Sequence, residues 1–264
     1  MADDFRVYWQ PGCSSCLRTK EFLAKRGIAY ESINVRARPE AMEELAGLGA
    51  QSVPVVVQGK RFVFAQDLGD LARFIGVEFD GPQLPPAELV RRLDMILAAT
   101  QRYLGQFPAA DLEEGLPGRE RNILDLGYHI FVIPAAFLDA AHGARLTFDY
   151  FERTPSPDMR GASQVAAYGQ TVRDALSSWW RAADAGRLGT LDTYYGIHPT
   201  ERVLERTAWH AAQHARQLMA LLEQRGIAPD RPLGEAELDG LPLPEGVYDD
   251  EVALEPNSGS RTAR

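Results

Sequence analysis

The first eighty residues alternate between short apolar runs and amphipathic stretches. The pattern predicts strands at 6–10, 30–35, 53–58 and 61–64, and helices at 14–26, 40–48 and 67–75. Gly27 ends the first helix, and Gly59 separates the last two strands as a hairpin turn. The predicted order is therefore β-α-β-α-β-β-α. Because helices join the first three strands, the pattern predicts right-handed crossovers and a parallel core with an antiparallel edge.

Beyond residue 87 the apolar positions follow the period of long helices. They recur three and four positions apart over 87–107, 120–141, 162–185 and 201–225. The long interval between the second and third of these helices predicts a crossover connection. The predicted fold class is α/β plus all-α. We expect a thioredoxin-like domain at 1–79, a linker at 80–87, a four-helix bundle at 88–227 and an acidic tail at 228–264, disordered from Glu255.

Length and composition indicate two ordinary globular domains, with 264 residues, 45% hydrophobic and 25% charged. A net charge of -9 argues against nucleic acid or an anionic membrane as a partner, because both attract clustered Lys and Arg. The longest apolar run, 130–141, is too short to span a bilayer, and the acidic N-terminus lacks the apolar stretch of a signal peptide. We therefore expect a cytoplasmic protein.

The chain has two cysteines, Cys13 and Cys16, at the junction of the first strand and helix. A thiol at a helix N-terminus has a lowered pKa, so Cys13 is the predicted nucleophile and Cys16, one turn later, the resolving thiol. A zinc knuckle would need further soft ligands that the sequence does not offer. A structural disulfide would close only a few residues and constrain the unfolded chain little. Redox chemistry is the favoured interpretation.

The element order, the CSSC motif and the segment 51–57 together resemble a glutaredoxin, within the thioredoxin-like fold. The resemblance implies that Pro54 is cis and lies beside the cysteines, and that the backbone of Val53 hydrogen-bonds the chain of the substrate thiol. Taken alone, Pro54 could equally open an edge strand.

Two departures from the family pattern bear on the substrate. The usual CPYC is CSSC here, and residues 63–67 replace the Gly-Gly pair that lets glutathione approach closely. Asp67 could still hold the amino end of a γ-glutamyl group. Glutathione, another low-molecular-weight thiol and a protein disulfide, as in the NrdH-type relatives, all remain open as partners.

Two histidines in the last long helix, His210 and His214, are four positions apart and project from one face. That spacing can bind one metal ion, although two solvated histidines on a helix are common. A third ligand would have to come from another helix, and His129 lies in the apolar face of the second one.

The four-helix pattern, a His on helix two and the final helix with Trp209-His-x-x-x-His resemble the DinB/YfiT-like family. The resemblance implies that His129, His210 and His214 bind a divalent ion. Three neutral nitrogens with an open position are typical of a catalytic site, and zinc and nickel both suit them. Asp125, one turn before His129, is either a carboxylate that orients a ligand or a surface helix charge.

The combined prediction is a thiol-disulfide oxidoreductase coupled to a metal-binding domain that works as a thiol-dependent transferase. Two alternatives stay open. The bundle could be purely structural or dimerising beside a glutaredoxin reductant, or the chain could sense metal and redox state without turnover. Pairing of two copies through a bundle face is also left open.

Overall fold

The computed structural model describes residues 4–79, 84–116, 121–184 and 188–249. An α/β domain is followed by a helical one, so the predicted fold class is confirmed. The first domain has the predicted order of elements: β1 (Phe5–Trp9), α1 (Ser14–Ala24), β2 (Tyr30–Asn34), α2 (Glu40–Leu48), β3 (Val55–Gln58), β4 (Arg61–Phe64) and α3 (Leu68–Ile75).

The sheet has the strand order β2-β1-β3-β4. Strands β1 and β2 are parallel, but β3 is antiparallel to β1, so the predicted parallel core of three strands is wrong. Tyr8 near the end of β1 pairs with Ile33 near the end of β2 and with Val55 at the start of β3. The chain therefore leaves β2 and enters β3 at the same end of the sheet, and this connection needs no crossover. It brings the start of β3 close to the start of α1.

Four long helices form the second domain, and each end lies within three residues of its prediction: α4 (Pro86–Gln106), α5 (Ile123–Ala141), α6 (Ala162–Ala182) and α7 (Thr200–Gln224). Helices α4 and α5 each pack against both α6 and α7. A hairpin of β5 (Thr190–Thr193) and β6 (Gly196–Pro199), which the sequence pattern did not predict, precedes α7. A short helix, α8 (Glu235–Leu238), follows α7.

Helix α5 is the central element of the helical domain. Among the described residues it is the one helix long and apolar enough to cross a membrane, and 78% of that stretch is buried inside the fold. Glycines allow its close packing, because a Cβ atom at Gly127 would lie 2.4 Å from Leu104 of α4, and one at Gly169 of α6 would lie 2.5 Å from Phe131. The burial fits a core helix of the domain.

The two domains pack through α1 and α7, with residues 241–249, the C-terminal segment, alongside both helices. The backbone N–H groups of Glu245 and Gly246 donate to Glu21 of α1, while Gln213 of α7 donates to the carbonyl of Gly246. Lys20 and Asp249 form a buried ion pair at 2.8 Å. The described part of the predicted tail is thus ordered against both domains, and the disorder predicted from Glu255 lies outside the described residues.

Candidate thiol and metal site at the domain interface

The two cysteines lie at the N-terminus of α1, as predicted. Cys13 is the N-cap residue, and the backbone N–H of Cys16 donates to its Sγ at 3.2 Å. The two sulfurs are joined as a disulfide, with the Cα atoms 5.2 Å apart. Cys16 is fully buried, whereas Cys13 is partly exposed. A substrate sulfur can therefore reach Cys13 and not Cys16, which is the order that the sequence predicts for attack and resolution.

Pro54 follows a cis peptide bond with Val53, as the resemblance implied. The strand that it precedes, β3, is central in the sheet, so the edge-strand alternative is wrong. Val53 packs in the same apolar cluster as both cysteines. Its carbonyl accepts a hydrogen bond from Gln66 Nε2 at 3.2 Å. The role of Val53 and Pro54 in binding substrate stays a prediction.

Asp67 is bound to the helical domain. Its carboxylate caps α3 through the N–H groups of Gly69 and Asp70, and it accepts two hydrogen bonds from Arg202 of α7, at 2.9 and 3.1 Å. Burial raises the pKa of Asp67, but the hydrogen bond and charge of Arg202 lower it more, and the net pKa lies below its ordinary value. The carboxylate that was predicted to hold a γ-glutamyl amine is thus held by an arginine of the same chain.

Three histidines come together from α5 and α7, as the resemblance implied. The candidate ligand nitrogens of His129, His210 and His214, the histidine triad, all lie within 4.8 Å of one another. Each of the three side chains is buried. Three imidazole nitrogens at this separation are a donor set that suits zinc or nickel and leaves a coordination position open. The residues present therefore fit a divalent ion.

The orientation of His214 is fixed by a residue that the sequence analysis did not single out. Its Nδ1 lies 2.7 Å from Oε1 of Gln217, one turn further along α7. An amide oxygen accepts, so Nδ1 carries the proton and Nε2 keeps its lone pair. Gln217 is held in turn, because its Nε2 donates to the carbonyl of Val247 at 3.0 Å. The i, i+3 spacing from His214 was the available signal.

The dithiol motif and the histidine triad are in direct contact. Ser14 Oγ, from the CSSC motif, lies 3.4 Å from Nε2 of His214, and both side chains are buried. The next turn of α1 continues the contact, because the guanidinium of Arg18 stacks on Trp209 at 3.9 Å. The CSSC motif and the histidine triad, one from each domain, are thus in contact.

The remaining polar candidates have structural contacts. Asp125 forms a capping box with Asn122 at the start of α5, so its carboxylate caps the helix, and its predicted ligand-orienting role stays a prediction. His142 is the C-cap of α5, and its Nδ1 lies 2.7 Å from the carbonyl of Leu138. His198 lies on β6, where its Nε2 is 3.6 Å from Asp70 of the first domain.

Fold and site together define a class of protein, a CxxC redox domain of the thioredoxin-like fold joined to a helical domain with a histidine cluster. Residues 6–63 match the family model for glutaredoxin, and residues 92–218 match that for the DinB superfamily. The chain belongs to the glutaredoxin family through its N-terminal domain, to which a DinB-superfamily domain is fused.

Three curated relatives each match about a fifth of the chain. The chain is 44% identical to the Gene 56 protein of Mycobacterium phage L5 over 52 residues, which are 19% of this chain and 50% of that protein. It is 40% identical to the glutaredoxin-like protein NrdH of Escherichia coli K12 over 53 residues, 20% of this chain and 65% of NrdH. It is 31% identical to the glutaredoxin-like protein NrdH of Lactococcus lactis over 52 residues, which are 20% of this chain and 72% of that protein.

The chain thus spans half to two thirds of the length of the first two of these relatives. These matches and the Cys13–Cys16 pair in the CxxC position support thiol redox chemistry in the N-terminal domain.

Proposed function

We propose that this protein is a thiol-disulfide oxidoreductase that acts on a small-molecule thiol or disulfide in a site shared by its two domains. The observation that carries the proposal is the 3.4 Å contact between Ser14 Oγ and His214 Nε2. The contact places the residue next to Cys13 against the histidine triad, and from it we infer that a group bonded to Cys13 lies near the triad. A dithiol that must cycle also fits a reducing compartment, and we place the reaction in the cytosol.

Burial around the dithiol favours a small substrate over a protein disulfide. Cys16 is fully buried, and Ser14 and Ser15, which separate the cysteines, are at most 5% exposed. Helix α7 covers the face of α1 that begins at Ser14. A protein substrate needs room for its chain around Cys13, whereas a low-molecular-weight thiol needs only the partly exposed sulfur.

The exchange reaction uses the two thiols in sequence. The thiolate of Cys13 attacks one sulfur of a disulfide RS–SR′, so that a Cys13–S–S–R bond forms and R′S⁻ leaves. The thiolate of Cys16 then attacks Sγ of Cys13, which forms the disulfide seen in the structure and releases RS⁻. The substrate gains the two electrons that the dithiol loses, and an external thiol reductant restores the dithiol by the reverse exchange. The Cys16 N–H that reaches Cys13 Sγ stabilises its thiolate.

His129, His210 and His214 would hold a divalent ion, zinc or nickel, next to this reaction. Such an ion supplies Lewis acidity, which lowers the pKa of a thiol or water molecule that it binds. Gln217 keeps the proton of His214 on Nδ1, so that the lone pair of Nε2 is available to bind a metal ion. Burial of all three histidines excludes bulk water from this side of the site.

A trapping experiment tests the oxidoreductase. In Cys16→Ser the resolving thiol is absent, so incubation with cell-derived low-molecular-weight disulfides should leave a mixed disulfide on Cys13, whose mass identifies the thiol. Wild type should reduce small disulfides with multiple turnovers, and Cys13→Ser should have no activity. If wild type reduces neither small nor protein disulfides while its free thiols titrate normally, the proposal is wrong. Faster turnover with protein disulfides would contradict the choice of substrate.

The same contact favours a second candidate function, transfer of a small thiol to an electrophile. Its signature would be conjugation of the thiol to a bimane electrophile that is lost in His210→Ala and His214→Ala while disulfide reduction persists. Elemental analysis of the same preparations reports whether the two variants have lost the ion. Conjugation that survives with no bound metal would remove this candidate and leave the oxidoreductase untouched.

A further inference from the structure

One buried arginine at the domain interface has no role in the site described so far. Arg206 lies on α7, one turn before His210, and is only 5% exposed. Its guanidinium carbon lies 4.9 Å from the centre of the Phe151 ring, 5.3 Å from Tyr195 and 5.9 Å from Tyr194. The three aromatic rings keep water from the charge, and the hydroxyl of Tyr194 accepts a hydrogen bond from Nη2 at 3.0 Å.

In the described part of the chain, the guanidinium of Arg206 contacts aromatic rings and one hydroxyl but no carboxylate. Among the described residues no carboxylate oxygen lies within 4.0 Å of its guanidinium, and its buried Nε has no hydrogen-bond partner. Arg202, one turn earlier on α7, is by contrast paired with Asp67. A buried charge without a counter-ion is strongly destabilising, so an unpaired guanidinium in this position points to an anion supplied from outside the chain.

A second buried arginine lies near Arg206. Arg18 of α1 is 5% exposed, it donates to the carbonyl of Gln66 at 2.7 Å, and its Nε too has no partner among the described residues. Burial is the main cause that lowers the pKa of Arg18 to about 9; the charges of Asp67 and Glu205 raise it, and that of Arg206 lowers it. The two carboxylates therefore offset the charge of Arg18, and Arg206 adds a positive charge of its own.

Arg206 is also within reach of a small ligand at the histidine triad. The ring of Phe151, which packs on Arg206, lies 6.1 Å from the ring of His210 and 6.3 Å from that of His129. A single aromatic ring thus separates the guanidinium from two of the three candidate metal ligands. Tyr194, which bonds Arg206, is itself only partly buried.

We propose that Arg206 and the hydroxyl of Tyr194 form a binding subsite for a carboxylate of the small thiol substrate. This inference rests on the proposed function, because it names the chemical class of that substrate as a carboxylate-bearing thiol. The Nε edge of Arg206, which has no partner in the described part of the chain, matches the two oxygens of a carboxylate in a charge-assisted bidentate pair. Because Asp67 and Glu205 offset the charge of Arg18, Arg206 supplies one positive charge, which favours a carboxylate over a phosphate dianion.

The binding test uses the full chain in its disulfide form, without added metal, and three probes at equal ionic strength: propionate, propionamide and inorganic phosphate. Propionate should raise the melting temperature of wild type, whereas propionamide should not, and phosphate should act more weakly. In Arg206→Gln the response to propionate should vanish. Arg202→Gln is the matched control, one turn away on the same helix, and should keep the response although it loses an ion pair.

The same variants separate a ligand subsite from a structural arginine. Arg206→Gln also loses the ring contacts and the hydrogen bond to Tyr194, so its melting temperature in chloride alone is the baseline for its response to each probe. A large loss of stability together with an unchanged response to propionate would overturn the proposal. Equal responses to propionate and phosphate would contradict the assignment to a carboxylate.

Kinetics give the second readout. Mixed-disulfide formation on Cys13 of the Cys16→Ser variant should favour glutathione disulfide over its ethyl ester, in which the carboxylates are blocked, by roughly tenfold or more, the contribution of one charge-assisted pair. Arg206→Gln should abolish the preference and keep the reaction with the ester. Failure of all exchange on Cys13 would remove the proposed function, whereas exchange without a preference would remove only the subsite.

Discussion

Ser14 Oγ lies 3.4 Å from His214 Nε2, across an interface between residues that are 200 positions apart in the chain. Ser14 follows the nucleophilic cysteine directly, and His214 belongs to the histidine triad. In the glutaredoxin pattern that position is a proline, which has no hydroxyl group to offer. The departure from CPYC to CSSC therefore coincides with the point where the second domain contacts the dithiol, and it gives the substitution a physical reason.

The ion pair between Asp67 and Arg202 should be a main stabiliser of the domain interface. Both side chains are largely buried, with 11% and 18% exposure, so removing one partner leaves the other charge unpaired. We expect Arg202→Gln to lower the free energy of unfolding by about 3 kcal/mol, measured by urea denaturation. The double variant Asp67→Asn/Arg202→Gln should recover part of that loss.

A steric variant gives an independent test of the same pair. A Cβ atom at Gly69 would lie 2.8 Å from Nη2 of Arg202 and 3.0 Å from Oδ1 of Asp67, so Gly69→Ala should displace the guanidinium. If Arg202→Gln and Gly69→Ala both unfold at the urea concentration of wild type, the pair does not hold the interface together.

Acid should weaken the same interface in a defined pH range. The pKa of Asp67 in the folded protein lies below its ordinary value, because the hydrogen bond and charge of Arg202 outweigh the effect of burial. Asp67 therefore contributes fully to the free energy of unfolding above its pKa in the unfolded chain, near 4. This contribution is lost as the pH falls through its lower pKa in the folded protein. The stability difference between wild type and Asp67→Asn should be constant from pH 7 to about pH 5 and shrink below pH 4. A difference that grows towards acid would contradict the sign.

Metal affinity should depend on Gln217 and not on its neighbour Gln213. Gln217 accepts the Nδ1 proton of His214, and both glutamines donate to the carbonyl of Val247 in the C-terminal segment. We expect Gln217→Met to weaken zinc binding by roughly 10- to 100-fold, measured by competition with a chromophoric chelator. Gln213→Met, which removes hydrogen bonds to the segment and to Arg216, is the control and should bind zinc as wild type does. Equal losses in the two variants would show that the segment, and not the histidine proton, determines affinity.

Local patterns in the sequence were enough for much of the fold. The four long helices, the redox pair and three histidines on two helices follow from periodicity and spacing, since each is encoded within a few turns of chain. The direction of β3 could not be predicted in this way, because a helix that links two strands can end at either end of the sheet. The hairpin β5–β6 was missed as well, since its strands are only four residues each.

The interface between the two domains could not be predicted from the sequence either. Its contacts join side chains more than a hundred positions apart, such as Ser14 with His214 and Asp67 with Arg202. No periodicity specifies which face of α1 meets which face of α7. In the sequence, Arg206 looks like any charged residue on a helix surface. Only its burial among aromatic rings in the structure distinguishes it.

The central claim is that the dithiol and the histidine triad form one site, and the reduction potential of the Cys13–Cys16 couple tests it most directly. A cation at the triad stabilises the more negative, reduced state of the dithiol. Loading with zinc, verified by elemental analysis, should therefore raise the potential by about 20 to 60 mV, equivalent to a coupling of about 1 to 3 kcal/mol. The shift should be absent in His214→Ala and reduced in Ser14→Pro. An unchanged potential in wild-type protein that holds one zinc ion per chain would contradict the claim.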